Sequence, residues 1–339
     1  MIKIKPLALR KGNTIGIVSP SAGLAGLYFY RVRRAISFLE KSGFKIKLGK
    51  NALKVGYIAG EPEERARDMN EMIYDKKVRC IITTIGGENS IQLLEYLDFK
   101  AFKKMPKIFV GYSDITVLHL AFLTKSKVVT FYGPAILPQF GEYPKPFSYT
   151  INYFKKAVME SKPIGLIQPV NYTDQFLDWG KYKRKKRTKF KENRYTWVRE
   201  GKAKGKLIGG CLPSILRVVG TEYFPSFKNA LLFIETPEGD KANLPYGLEK
   251  VDADISQLKA IGVFDEINGL IVGVPYRYNR KMKFKLIELL KKRLSQYDFP
   301  ILFGVNFGHT DPIITLPYGI KAVIESSENR FQILESAVK

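Results

Sequence analysis

Short apolar runs rich in β-branched residues alternate with helical patterns over the first 140 positions. Thr14-Ile-Gly-Ile-Val-Ser-Pro20 ends in turn residues, and a helical pattern follows it through Leu39. Alternation at 44–48 predicts a second strand, and Glu61 opens an acidic-capped helix. Cys80-Ile-Ile-Thr-Thr-Ile85 reads as a buried strand with a helix beginning at Asn89. Ile108-Phe-Val110 and residues 128–132 supply two more strands, flanking a helix from Asp114 to about Lys125. Continuous apolar strands separated by helices indicate a parallel sheet covered on both faces.

The pattern changes at 133–180, where Pro134, Pro138, Pro144, Pro146, Pro163 and Pro169 interrupt regular structure. The crossing between two domains is expected there. Beyond it, strands are expected at 231–235, 269–275, 301–307, 321–325 and 330–335, with helices at 248–261 and 283–294. The second half therefore reads as a mixed α/β domain.

The 339 residues, 45% apolar and 26% charged, suit a two-domain globular protein and exclude disordered, fibrous and disulfide-stapled classes. No run approaches 18 uncharged apolar residues. The first residues show neither a leader's apolar core nor a small-residue cleavage site, so the expected location is the cytoplasm, without membrane association. Cys80 and Cys211 are expected as buried, reduced thiols, and with only two histidines a Cys/His zinc site lacks its ligands. No metal and no cofactor is expected.

A net charge of +24 first suggests a polyanionic partner. Residues 181–206 alone hold 13 Lys/Arg against Glu192 and Glu200, interleaved with Tyr182, Phe190, Tyr195 and Trp197. That composition fits either a nucleic-acid stripe or a solvated loop. We expect the loop, with no nucleic acid bound: residues 181–191 as a mobile, solvated flap beside Trp179.

The sharpest chemical signal is Val110-Gly-Tyr-Ser-Asp-Ile-Thr, a strand running into a turn from which a helix leaves at once. A serine there stands clear of the sheet, with unpaired helix-terminal N–H groups behind it. Ile115 occupies the last glycine position of the G-x-S-x-G pattern, and Ser113 or Asp114 also suits a plain helix cap. A nucleophilic serine needs a base. His119 lies among Leu118, Leu120 and Phe122, whereas His309 sits in the glycine-flanked loop after a strand, which makes it the better choice. For the orienting carboxylate, Glu235 ends an apolar strand, a poor place for an unpaired charge. Asp114, Glu238, Asp240 and Asp311 remain alternatives. Ile85-Gly-Gly and Gly209-Gly-Cys-Leu-Pro look like anion-binding turns, yet neither forms a dinucleotide or P-loop fingerprint.

These segments, with Lys5-Pro-Leu-Ala-Leu-Arg-Lys-Gly-Asn-Thr-Ile-Gly-Ile-Val-Ser-Pro, Gly220-Thr-Glu-Tyr, Leu232-Phe-Ile-Glu-Thr and Asn306-Phe-Gly-His-Thr-Asp-Pro, follow one another along nearly the whole chain. Together they resemble the LD-carboxypeptidase family of serine peptidases, which includes the microcin C immunity peptidases. The resemblance implies a flavodoxin-like parallel-sheet N-terminal domain and a smaller mixed α/β C-terminal domain. The corresponding division is 1–160 with the nucleophile, a crossing at 161–180, and 181–339 with the acid and base. It implies Ser113 as nucleophile, Glu235 as orienting acid and His309 as base, and an oxyanion hole from the Asp114 amide and the Gly86-Gly87 turn. A homodimer is implied as well. Two substrates compete: the LD-bond of murein tetrapeptide, taken first, and an amide between an aminoacyl group and a nucleotide-like moiety. Trp179 would stack on the base in the second case. Cys211, where many murein-cleaving members carry Asn, bears on the same choice.

Overall fold

A computed structural model describes residues 4–339. Its strands are β1 (Thr14–Val18), β2 (Lys45–Leu48), β3 (Val78–Thr83), β4 (Ile108–Gly111), β5 (Phe131–Tyr132), β6 (Gly165–Leu166) and β7 (Thr196–Arg199). They continue as β8 (Lys202–Cys211), β9 (Ala230–Glu235), β10 (Gly269–Gly273), β11 (Ile301–Val305), β12 (Leu316–Pro317), β13 (Lys321–Glu325) and β14 (Arg330–Ile333). Two sheets form. The first has the order β12-β5-β4-β3-β1-β2, and its five strands β1 to β5 are parallel, in the flavodoxin-like order. The second, β6-β14-β13-β8-β9-β10-β11-β7, has a parallel centre, β8 to β11, between antiparallel edges.

The helices anticipated from periodicity form where their caps and apolar faces agree. Helix α1 (Phe29–Lys41) buries Val32, Ala35 and Leu39. Pro62 and reciprocal bonding between Glu61 and Glu64 start α2 (Pro62–Tyr74), because Glu64 reaches back to the Glu61 amide. Further on lie α3 (Phe99–Lys104), α4 (Thr116–Ala121), α5 (Ser148–Val158), α6 (Leu212–Leu216), α7 (Leu248–Ala260), α8 (Val263–Glu266) and α9 (Arg280–Arg293).

Several expectations need correction. The helix from Asn89 is only a 3-10 turn, Ser90–Leu93, whose first residue donates its amide to the Asp114 carboxylate and its hydroxyl to the Asp114 carbonyl. The single helix 114–125 is a 3-10 turn (Ser113–Ile115), one α turn and a half, and a π turn (Phe122–Ser126). Strand 128–132 shortens to β5, with Val128 making only an isolated bridge to Ile4. Within 133–180 the prolines do not prevent α5 from forming. Gly209-Gly210 is no turn; it ends the ten-residue strand β8 and leads into α6. The chain also returns: β12 pairs antiparallel with β5, at the edge of the first sheet.

Candidate active site

The carboxyl ends of parallel strands in both sheets converge on one cleft of about 860 Å3. From the first sheet come the Gly86-Gly87 turn after β3 and Ser113 after β4; from the second come Cys211 at the end of β8 and His309 after β11, with Glu235, at the end of β9, buried behind the His309 ring. Open α/β sheets place ligands at this end of the strands.

Ser113 has φ 64°, the left-handed region that a non-glycine residue adopts only when its surroundings hold it there. Its carbonyl accepts from the Thr116 hydroxyl at 2.7 Å, and its amide donates to the Tyr132 hydroxyl at 3.2 Å. With the Ser113 amide so engaged, the Asp114 amide is the N–H left facing the cleft turn: an added Cβ on Gly86 would lie 2.8 Å from the Ser113 Cβ and 3.2 Å from the Asp114 nitrogen. Glycine is required at 86 for that approach.

His309 is buried and bonded at both ring nitrogens. Its Nε2 lies 3.0 Å from Ser113 Oγ, and its Nδ1 lies 2.8 Å from Glu235 Oε2. The other Glu235 oxygen accepts from the Tyr132 hydroxyl at 2.5 Å, so Tyr132 links the carboxylate to the Ser113 backbone. Gly308 lets the loop pass: at φ 95°, an added Cβ would sit 2.6 Å from Glu235 Oε2. A third contact falls on Nε2, where Glu238 Oε2 approaches to 3.2 Å. Burial disfavours the charged ring, but the carboxylates of Glu235, Glu238 and Asp311 outweigh it and raise the His309 pKa to about 9.

The remaining carboxylate candidates are committed elsewhere. Asp114 accepts from the Ser21 hydroxyl and the Ser90 amide and pairs with Arg217 at 3.0 Å. Asp311 pairs with Arg187 at 2.8 Å, and exposed Asp240 pairs with Lys250. His119 is fully buried, with Nε2 on the Gly111 carbonyl at 3.0 Å and its ring stacked on Tyr318. Burial depresses its pKa to about 3. Cys211 lines the cleft as a buried thiol, pushed up by burial and by Glu235.

Trp179 lines the same cleft, half-buried, with its edge against Tyr28 and the Arg31 guanidinium 4.4 Å from its centroid. It is therefore fixed to α1. The flap expectation is corrected from Arg187 onwards, where the Thr188 and Lys189 amides donate to Gln175 Oε1 and Lys191 bridges Tyr172 and pairs with Asp174. Most of 181–191 is exposed, but the Arg187 side chain is only 12% exposed and holds both Glu142 and Asp311 at 2.8 Å. Nor do the interleaved aromatics form a stripe. Tyr195 is buried with its hydroxyl on the Ile167 carbonyl, and Phe190 packs edge-on against Phe147. Residues 196–206 lie in β7 and β8. Among the described residues there is no cluster of three His, Cys, Asp or Glu suited to a metal, and no helix is long and apolar enough to cross a membrane.

Tyr132, Arg187 and the Glu238 contact were not anticipated. Tyr132 ends a strand beside an apolar Phe, Arg187 is one of seven cations between 181 and 189, and Glu238 sits in a turn that suggests only solvation.

Comparison with known proteins gives one answer. The LD-carboxypeptidase N-terminal domain matches residues 15–133, and the LD-carboxypeptidase C-terminal domain matches 204–324. The microcin C7 self-immunity protein of Escherichia coli is 34% identical over 344 residues, covering 99% of this chain and 98% of that protein. The probable murein peptide carboxypeptidase of Bacillus subtilis is 31% identical over 344 residues, covering 99% and 96%. The solved structure of the microcin C7 self-immunity protein in complex with aspartyl sulfamoyl adenosine superposes with a TM-score of 0.91 at 33% identity, covering 99% of this chain and 100% of that one.

Proposed function

The chain belongs to the LD-carboxypeptidase family and is a serine peptidase-type hydrolase, and we propose that Ser113, His309 and Glu235 are its catalytic triad. The observation that carries this reading is the continuous relay from Ser113 Oγ to His309 Nε2 (3.0 Å) and from Nδ1 to Glu235 (2.8 Å). Ser113 attacks the scissile carbonyl carbon as its proton passes to Nε2, and the developing oxyanion meets the Asp114 amide over the Gly86-Gly87 turn. The imidazolium, steadied by Glu235, returns the proton to the leaving amine. Water then attacks the acyl-enzyme with His309 again as base.

For the substrate we favour an amide between an aminoacyl group and a nucleotide-like moiety. Trp179, fixed on one side by Arg31 and Tyr28, offers an aromatic wall on which a base could stack, in a cleft of about 860 Å3. The relative bound to aspartyl sulfamoyl adenosine supports the same choice. The LD-bond of murein tetrapeptide is the second reading, favoured by the name of the Bacillus relative. Incubating the protein with both compounds and identifying products by mass spectrometry decides between them. Release of the amino acid from the sulfamoyl adenosine, with tetrapeptide intact, is the expected result.

The same reading includes a cytoplasmic homodimer. Exposed Leu27, Phe29, Val55 and Tyr57 lie on two adjoining segments bridged by Gly23 and Gly56, an apolar patch suited to a second copy. Sedimentation of the Tyr57→Asp variant as a monomer is the corresponding test.

A further inference from the structure

Most carboxylates on the cleft wall already hold a cation. Glu88 pairs with Arg217, Glu142 and Asp311 with Arg187, Asp174 with Lys191, and Asp240 with Lys250. Glu238 differs. Among the described residues no lysine or arginine pairs with it, and its cationic contact is the His309 ring. Its side chain is 39% exposed, so it is turned towards the open cleft as well as the base. The turn that carries it is built, not loose: Glu238 bridges Pro245, and the Gly239 amide donates to the Leu244 carbonyl at 2.9 Å.

The contact is at odds with catalysis. A general base needs a lone pair on Nε2 to take the serine proton, and Glu238 Oε2 lies 3.2 Å from that same nitrogen, favouring a proton there. The groups around the ring do not offset this pull. Glu235 faces Nδ1, the Asp311 carboxylate is turned to Arg187, and the Tyr112 ring packs 5.1 Å from the imidazole with its hydroxyl held neutral by burial.

We propose that Glu238 reads an ammonium on the acyl-donating residue of the substrate, and that until one arrives it holds His309 protonated and idle. The proposal rests on the triad reading above and names the substrate feature that the triad waits for. An entering ammonium gives Glu238 three N–H donors and displaces it from the ring. The imidazolium keeps Glu235 at Nδ1 but loses the anion facing Nε2, and its Nε2 proton leaves to solvent through the cleft, so one positive charge enters and one departs. The freed lone pair then accepts the Ser113 proton. An aminoacyl amide carries such an ammonium beside the scissile carbonyl, and its N-acylated form does not.

Glycyl sulfamoyl adenosine and its N-acetyl derivative, assayed with wild type and Glu238→Gln at pH 7, test this. The variant should lose at least about tenfold in kcat/KM on the free amine and gain on the acetylated compound, because its base is already free. The imidazole NMR titration gives a readout that needs no turnover. With only two histidines in the chain, and His119 titrating near 3, the signal moving near 9 belongs to His309. It should fall by about one pH unit or more in Glu238→Gln. In Ser113→Ala protein, which keeps Glu238, it should fall on binding the free amine and not on binding the acetylated compound. Equal losses on both substrates, or a titration that neither the variant nor the amine moves, overturn the proposal. Turnover by Ser113→Ala would instead overturn the triad reading and leave the titration standing.

Discussion

His119 and His309 are both buried, yet their surroundings drive them in opposite directions. Around His119 stand Phe109, Tyr132 and Tyr318 and a single carbonyl, so burial alone acts and the ring stays neutral down to about 3. Around His309 three carboxylates outweigh the same penalty and carry the ring to about 9. Burial therefore does not make a base. What sets His309 apart is the charge gathered at the ends of β9 and β11, where Glu235, Glu238 and Asp311 surround the ring, and His119, within the first sheet's own helical layer, receives none.

The strongest test of that contrast is at Ser113 and the two rings. Ser113→Ala and His309→Gln should each lose at least about 10³-fold in turnover with the circular dichroism unchanged. His119→Gln should stay within about threefold in kcat while losing about 1–2 kcal/mol of stability in urea titrations. Comparable activity losses at the two histidines would break the comparison. Arg187→Met removes the cation shared by two buried carboxylates and should cost on the order of 3 kcal/mol, read by the same titrations.

Tyr132→Phe sharpens it further. Losing the hydroxyl frees one Glu235 oxygen and the Ser113 amide together, and kcat should fall about tenfold without a matching change in KM. Stability should also follow pH in opposite senses at the two rings. The His309 contribution is fully present below its ordinary value of 6.5 and disappears as pH rises through about 9. The His119 contribution is present above 6.5 and disappears as pH falls towards 3. Thermal melts of the two glutamine variants against wild type, from pH 4 to 10, separate them. The smallest effect belongs to the basic segment. Neutralising Lys181, Lys183, Lys185 and Lys186 should move stability by less than about 0.5 kcal/mol while lowering kcat/KM for a phosphate-bearing substrate at low salt.

Most of the parallel strands are legible because each is a continuous apolar run, β2 by its alternation, and α2 because its cap is written in Glu61, Pro62 and Glu64. Ser113 and His309 were legible for a related reason: both sit where a strand ends in glycine and polar residues, a local signal. Contacts made across the molecule leave no such mark. Tyr132 becomes polar machinery only when β9 brings Glu235 beside it, 103 residues later. Nothing in Lys-Arg-Lys-Lys-Arg distinguishes the arginine that finds Glu142 and Asp311 from those left in water. Strand β8 escaped notice because Lys202, Lys204 and Lys206 alternate with small residues, and its apolar character begins only at Leu207.

The return of Leu316-Pro317 to β5 bears on how the protein comes into being on the ribosome. A nascent chain grows from its N-terminus, and early domains ordinarily finish folding while later ones are still being made. Here the sheet that carries Ser113 keeps an unfilled edge until residue 317 has emerged, and His309 emerges only eight residues before it. A half-made chain thus displays Ser113 without His309 and without the sheet's last strand. His309 and the sheet's last edge strand therefore arrive in nearly the same moment of synthesis.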